Sequence, residues 1–445
     1  MNTPVFTFGR GIRPPENKER TAGAAIKKIL PEIGEKMIFP MLQHIGDACE
    51  PAVSAGQRVL LGQLIGDSHK SVSSPIHSSV SGIVKEIRHT TEPDGNSSAA
   101  VVIENDGKDN SKEYARDGSS GIAGREETLR LIRQAGVVGL GGAGFPTHVK
   151  LNPPPDKAVD TFIVNAAECE PYLTSDHRSM LEDTERLISG LEVVLKLLPK
   201  ARGIIAVETN KRDAIKRIKE AMRNKERMST AELLPRYPQG AEKQLIYALT
   251  GREVPSGGLP ADVGCLVDNT DTVIAIERAV LRKRPLIRRI ITLNGSAVKN
   301  PGNYEVRLGM TYGNLIKASG GFASPPYKLI SGGPMMGVSL FSLDVPVIKT
   351  SSALLCLTED EARLPEERNC IRCGRCADFC PIRLMPLILN QNVIHGDTEL
   401  FIQNHGPECI ECGSCSYVCP SKRHLAQSIR AAKQEAPAEW HKQRR

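Results

Sequence analysis

Aromatic residues are scarce in this 445-residue chain: Phe, Tyr and Trp make up 4% of it, with a single Trp. Proteins that hold nucleic acid pair basic stripes with aromatic stacking platforms. Here 58 Lys and Arg are dispersed among 51 Asp and Glu, for a net charge of +7, so no nucleic-acid partner is expected. Long apolar runs are missing as well. The nearest approach, 187–207, is interrupted by Glu192, Lys196, Lys200 and Arg202, and reads as a helix followed by a strand, not a membrane span. The first eleven residues are poor in apolar side chains and already contain Arg10, which argues against a secretory signal. A small basic group near the end (Lys442, Arg444, Arg445) reads as a solvated tail, or as a contact for an anionic partner or lipid surface. A disulfide framework is also lacking. Cys49, Cys169, Cys265 and Cys356 stand singly, and the other eight of the twelve cysteines fall into two runs, as suits a reducing compartment.

Those two runs are what the chain does have. Cys370-x2-Cys373-x2-Cys376-x3-Cys380-Pro381 is repeated as Cys409-x2-Cys412-x2-Cys415-x3-Cys419-Pro420. Each is the bacterial spacing for a [4Fe–4S] cluster, in which three cysteines wrap one cubane and the fourth, before proline, ligates the other. The spacing therefore assigns Cys370, Cys373, Cys376 and Cys419 to cluster one, and Cys409, Cys412, Cys415 and Cys380 to cluster two. Zinc uses paired CxxC ligands and has no need of the third cysteine at i+6. Run one contains Arg372 and Arg375 where run two contains Glu411 and Ser414. Positive charge favours the reduced cluster, so cluster one is expected to have the higher potential.

Along the rest of the chain the texture changes several times. Residues 1–30, with Pro14-Pro15, read as an extended entry, an ordered arm or a loop and not a helix. Residues 31–110 read as short strands (37–39, 59–61, 82–87, 100–103) broken by Gly, Pro and Ser. The segment 74–84 resembles the hairpin core of biotinyl/lipoyl-type barrel-sandwich domains, without the cofactor-bearing lysine, which implies a scaffold. A polar stretch, 106–124, leads into strand–helix alternation over 120–285. This has strands at 161–164 and 203–207, one helix over 180–198, a second over 214–224, and a helix closing at 245–249. Such alternation is an α/β domain. Residues 286–355 suit a β-grasp module, with strands at 290–295, 302–306, 327–330 and 345–348 and a short helix at 312–319. Residues 359–435 read as a helical two-cluster domain, with a helix over 384–393 between the runs.

The α/β domain opens on a glycine-rich stretch containing Gly139, Gly141, Gly142 and Gly144, with Lys150 just beyond. Glycine lets backbone N–H groups approach a phosphate. The stretch follows a helix, 126–135, where the dinucleotide fingerprint requires a strand. The strand at 162–164 then runs into Asn165-Ala166-Ala167-Glu168-Cys169-Glu170-Pro171, followed by Asp176, and a third block is Val267-Asp268-Asn269-Thr270-Asp271-Thr272. Together the three blocks resemble the flavin-carrying subunit of respiratory complex I, where GGAGFPT, NADEGEP and VNNVET segments form the FMN and NADH pocket. The resemblance implies that Gly139, Gly141, Gly142, Gly144, Lys150, Asn165, Glu168, Asn269 and Thr272 serve FMN. It implies that Glu168 and Glu170 flank NADH. The chain departs from the pattern at Ala167, Cys169 and Asp268, where that family has Asp, Gly and Asn.

The order of parts is similar to the C subunit of the Rnf-type electron transport complex: a PPENK arm, a barrel-sandwich domain, an FMN domain, a β-grasp (SLBB-like) module and a paired-cluster domain. The resemblance implies a peripheral flavoprotein on the cytoplasmic face of the membrane. That protein's complex moves electrons between ferredoxin and NAD(H) and couples this to Na+ or H+ translocation by other subunits. Ferredoxin would be met indirectly. FMN, two [4Fe–4S] clusters and NAD(H) are the implied cofactors. Two other readings stay open: a cobalamin reductase of microcompartments, which shares the flavin loop and cluster runs, and an electron-wiring scaffold without a nucleotide site.

Overall fold

The computed structural model describes residues 4–91, 97–111 and 124–435. The basic tail and most of the polar stretch before residue 124 lie outside the described residues. Four sheets and a helical end are arranged along the chain. The barrel-sandwich region is two facing antiparallel sheets. One orders Lys36–Pro40, Ser97–Asn105, Gly82–Thr91 and Arg58–Val59. The other orders Glu50–Pro51, Leu64–Asp67 and Ile76–His77. The segment expected to form one hairpin at 74–84 instead crosses between them: Ile76–His77 pairs in one sheet and Gly82 onward in the other. Gly82 sits where a Cβ would lie 2.0 Å from the Glu104 carbonyl oxygen, so the crossing needs glycine there.

The α/β domain is built on a five-stranded, wholly parallel sheet. Its order is Val5–Phe6, Met228–Leu233, Arg202–Glu208, Thr161–Ala166 and Cys265–Asn269. Its central strands are buried on both faces, as crossover helices require. The single helix expected over 180–198 is two, Ser175–Glu182 and Thr184–Leu197. The break is at Asp183, whose φ of −115° leaves the helical region. Its carboxylate is held by Arg186 and Arg278, while the Thr184 hydroxyl donates to the Met180 carbonyl at 2.5 Å. A local hydrogen bond of this kind competes with the helical ladder.

A six-stranded mixed sheet forms the next layer, ordered Val338–Ser339, Lys328–Ser331, Ala353–Leu357, Arg288–Asn294, Gly302–Arg307 and Lys27–Lys28. No strand occupies 345–348. Pro346 makes only an isolated bridge to Thr311, and the pairing expected there is made by Ala353–Leu357. Proline has no N–H to give a ladder. The N-terminal arm is ordered and joins two sheets. Val5–Phe6 adds an edge strand to the α/β sheet and Lys27–Lys28 adds one to the β-grasp sheet, so the arm stitches the two modules. Around the cysteine runs stand short helices, of which Pro386–Ile394 and Leu425–Glu435 pack together through Leu389 and Ile429.

Candidate functional site

The glycine-rich segment folds as a turn between the helix Arg125–Gln134 and a single helical turn, Thr147–Lys150. Gly144 closes it by donating to the Gly139 carbonyl (3.0 Å). The Leu140 N–H donates to the Thr272 hydroxyl (2.8 Å). The N–H groups of Gly141, Gly142 and Ala143 have no acceptor among the described residues, and all three residues are exposed. Successive free amides on a side-chain-poor turn form a concave nest for an anion. Gly141 faces Asn269, whose Cβ would be 3.1 Å from an added methyl, and Gly142 has φ +115°, a backbone that L side chains rarely adopt. This cradle fits a phosphate-bearing group such as FMN.

The other two blocks are brought to the same place at the C-terminal ends of neighbouring parallel strands, the usual ligand edge of an open α/β sheet. Asn269 caps the helix Thr270–Val280 by accepting from the Asp271 N–H (2.9 Å), and its amide donates to Asp176 at 2.6 Å. Glu168 caps the neighbouring helix, accepting from the Asp176 N–H (2.7 Å) and the His177 N–H (3.2 Å). Asn165 donates to the Gly240 carbonyl (2.8 Å). Lys150 lies close by, but its ammonium is committed to the Val267 carbonyl (2.7 Å), Asp268 (3.4 Å) and Glu242 (3.6 Å). The charge of Asp268, where the complex I pattern has Asn, is thus balanced inside the protein.

Glu170 is engaged differently. Its carboxylate accepts from the Met335 (3.2 Å) and Met336 (3.0 Å) N–H groups of the β-grasp loop, and the Tyr237 hydroxyl stands 3.5 Å away. Burial pushes its carboxyl up to about 7. A Cβ on Gly333 would fall 2.2 Å from the Glu170 carboxylate, so that loop approaches only because residue 333 is glycine. Behind the acidic segment two buried lysines grip its backbone. Lys18 of the arm donates to the Glu168 carbonyl (2.5 Å). Lys211, paired with Glu208 at 3.1 Å, donates to the Ala167 carbonyl (2.7 Å). Burial pushes the Cys169 thiol up to about 12, which favours its neutral form.

Asp176 is buried, and burial, then Glu168 and Asp271, push its carboxyl up to about 7 from 3.8. The folded chain therefore holds this proton more tightly than the unfolded chain. The resulting stability is complete below about pH 4 and is lost as pH rises toward 7. Thermal midpoints measured from pH 4 to 8 are expected to fall across that window, and Asp176→Asn, which keeps the Asn269 contact, is expected to flatten the decline. An unchanged slope in the variant would rule the carboxyl out as its source.

Each sulfur set expected for one cluster lines one cavity. Cys370, Cys373, Cys376 and Cys419 surround the first. Cys380, Cys409, Cys412 and Cys415 surround the second. Among the described residues no group of three or more His, Cys, Asp or Glu side chains is placed to hold a single ion. Four thiols spread around a space fit a cubane. The charge contrast between the runs is smaller than the sequence suggests, because Glu411 is paired with Arg430 and Lys433, each at 2.8 Å. Arg372 and Arg375 are exposed and water-screened. Arg372→Gln with Arg375→Gln is thus expected to lower the cluster-one potential only modestly; a redox titration followed by EPR that showed no shift would remove the effect.

The two halves of the site meet. Tyr237, Cys412 and Ile12 form a buried apolar cluster, against which Cys169, Met335, Ile410 and Val418 pack. Met335 closes over Gly413, where an added Cβ would meet its carbonyl oxygen at 3.0 Å. The second run is thereby packed against the acidic segment. Sequence reasoning missed Tyr237, Met335, Gly333, Lys211 and Lys18 as parts of this junction. Gly332-Gly333-Pro334 is a visible turn signal, but nothing in it points to Glu170, 163 positions earlier.

Comparison with known proteins agrees with this layout. Residues 132–278 match the Nuo51 FMN-binding domain, 6–108 the RnfC barrel sandwich hybrid domain, 290–339 the SLBB domain and 364–420 the 4Fe-4S dicluster domain. The C subunit of the Na(+)-translocating ferredoxin:NAD(+) oxidoreductase complex of Acetobacterium woodii is 45% identical over 443 residues, 99% of each chain. The C subunit of the proton-translocating ferredoxin:NAD(+) oxidoreductase complex of Clostridium ljungdahlii is 45% identical over 399 residues, 89% of this chain and 85% of that one. A crystal structure of NAD+-reducing [NiFe]-hydrogenase in the H2-reduced state is similar with a TM-score of 0.48 and 19% identity, covering 72% of this chain and 62% of that one. The chain belongs to the RnfC family, the C subunits of the Rnf-type ferredoxin:NAD(+) oxidoreductase complexes.

Proposed function

We propose that this chain is the flavo-iron–sulfur subunit of a membrane-associated complex that moves electrons between ferredoxin and NAD(H), with Na+ or H+ translocation carried by other subunits. No helix among the described residues is long and apolar enough to cross a membrane, in keeping with a peripheral subunit, which we place on the cytoplasmic face. In this reading the arm spans 1–30, the barrel-sandwich domain 31–110, the FMN and NADH domain 120–285, the β-grasp module 286–355 and the two-cluster domain 359–435.

The chemistry supplied by the bound cofactors is the conversion between a two-electron hydride, taken from or given to the nicotinamide, and single electrons. The chain's part is to bind, orient and seal. The free amides of Gly141, Gly142 and Ala143, with Gly139 and Gly144 shaping the turn, receive the flavin phosphate. Asn165, Glu168, Asn269 and Thr272 fix the walls of the pocket, and Lys150 neutralises Asp268 beneath it. Glu168 and Glu170 flank the nicotinamide nucleotide. Lys18 and Lys211 hold the backbone of the acidic segment from behind. Cys370, Cys373, Cys376 and Cys419 ligate cluster one, and Cys409, Cys412, Cys415 and Cys380 ligate cluster two.

The observation that carries the reading is the packed junction of Cys169, Tyr237, Met335 and Cys412. It brings the acidic segment and the second run into direct packing contact, which supports the short path a redox conduit requires. The test is an anaerobic NADH titration of the reconstituted protein, with flavin absorbance and cluster EPR followed together. Flavin bleaching with appearance of cluster signals is expected. Bound flavin that NADH leaves oxidised would sink the assignment.

A further inference from the structure

The two ends of the cluster domain are unlike. At the second run the cysteines are covered: Cys412 and Cys415 are buried, Gln244 reaches the Pro381 carbonyl and Ser256 reaches Glu408. At the first run the chain lies open. Residues 363–373 are exposed without a break and carry no helix or strand. Cys370 and Cys373 are the exposed cysteines among the described residues. Leu364 (64%) and Ile371 (68%) are left largely in water, and Ile371 follows Cys370 directly in the ligand loop. An exposed ligand loop with apolar side chains beside it is what a docking partner covers.

The charge around the loop says what kind of partner. Arg368, Arg372, Arg375 and Lys422 are exposed, and among the described residues none of them makes an ion pair. The Arg368 N–H donates to the Ser421 carbonyl (2.9 Å), which sets Arg368 next to Lys422. Arg10 adds a further cation, its guanidinium donating to the Ala377 carbonyl at 2.8 Å. The acids nearby are Glu366 and Asp378, and Glu367, which is matched by Arg423 at 3.5 Å. Unpaired arginines around an apolar centre suit an anionic protein surface, where complementary charge sets the encounter rate and the register.

We infer that the face formed by Arg368, Ile371, Arg372, Arg375 and Lys422 docks an acidic one-electron carrier protein or domain over the first cysteine run. The inference rests on the proposed role of the chain as a redox conduit and adds where the one-electron partner seats. A phosphate-rich lipid surface shares the preference for cations. The carrier is favoured because the open thiols lie at the centre of the patch, where close approach matters for electron transfer but not for lipid.

The test uses the full, cluster-loaded chain and, as a stand-in for such a carrier, an acidic bacterial two-cluster ferredoxin, kept oxidised so that binding alone is read. Calorimetry is expected to show affinity falling about tenfold between about 50 and 300 mM KCl. Arg368→Glu with Lys422→Glu is expected to weaken binding at low salt by about tenfold or more, whereas Lys216→Glu, an exposed cation on a remote helix, changes it less than about twofold. Bleaching of the flavin by NADH is expected to stay unchanged in the double variant, so failure of the conduit reading and failure of the docking face remain separate results. Ferredoxin binding indifferent to salt and to the charge reversals would overturn the inference. So would loss, in the double variant, of binding to vesicles with about 30% phosphatidylglycerol while ferredoxin binding persisted.

Discussion

Replacing Cys419 with Ser is expected to abolish the cluster of the first run, although Cys419 belongs to the second. The Cys419 sulfur lines the cavity of Cys370, Cys373 and Cys376, and Cys380 completes the other set. Each replacement should therefore remove about half of the bound iron, and the lost EPR signal should be that of the partner run. The functional consequences diverge, because the second run is packed against the acidic segment through Tyr237, Cys169 and Met335 and the first is not. With Cys419→Ser, NADH should still bleach the flavin and reduce the remaining cluster. With Cys380→Ser, NADH should bleach the flavin, but the surviving first-run cluster should stay oxidised on the same timescale. Iron analysis, EPR and rapid-mixing absorbance give these answers on one preparation each. If Cys419→Ser lost the second-run signal instead, the crossed ligation would be wrong. If cluster one were still promptly reduced in Cys380→Ser, the packed junction would not be the route.

How much of this was legible beforehand depends on the range of the interactions. The cysteine runs were readable because cluster ligation is a local code: ligands three residues apart wrap one cubane whatever surrounds them. The glycine turn was readable in the same way, since the amides at 141–143 stand beside side chains no larger than a methyl. The acidic segment was found by resemblance, but the work of each side chain was not. Glu168 capping a helix eight residues on, and Glu170 receiving two amides from residues 335 and 336, are contacts made only by folding. Lys150 reads from the sequence as a phosphate ligand, and only the parallel pairing of 161–165 with 265–269 brings Asp268 beside it. The extended course of the arm was readable from its prolines and glycines, but the sheets it joins were not. Its two edge strands are two residues each, too short for any alternation to register.

A second large effect is expected at Arg289, a residue that no motif marks. It is buried on the strand Arg288–Asn294 of the β-grasp module, yet its guanidinium serves the flavin domain. It donates to the Asp271 carboxylate at 2.6 Å, to the Leu140 carbonyl of the glycine turn at 3.0 Å and to the Ser351 carbonyl at 2.8 Å. One side chain thus ties the turn, the start of the helix Thr270–Val280 and the β-grasp sheet. Arg289→Met keeps the bulk and removes all three donors. It strands Asp271, which is also buried, without a counter-charge, and breaking one side of such a pair costs about 3–5 kcal/mol. The thermal transition that includes the flavin domain is expected to fall by on the order of 10 °C. Flavin retained after gel filtration is expected to fall with it, because the Leu140 carbonyl no longer has its anchor. The Arg289→Met/Asp271→Asn double variant separates the two contributions. Removing the stranded charge should recover at least half of the lost stability, since a neutral amide tolerates burial far better than a carboxylate. Flavin retention should stay low, since the double variant restores no donor to Leu140. Recovery of both together would assign the whole effect to the charge, and an unstable double variant would place it in the lost packing of the guanidinium.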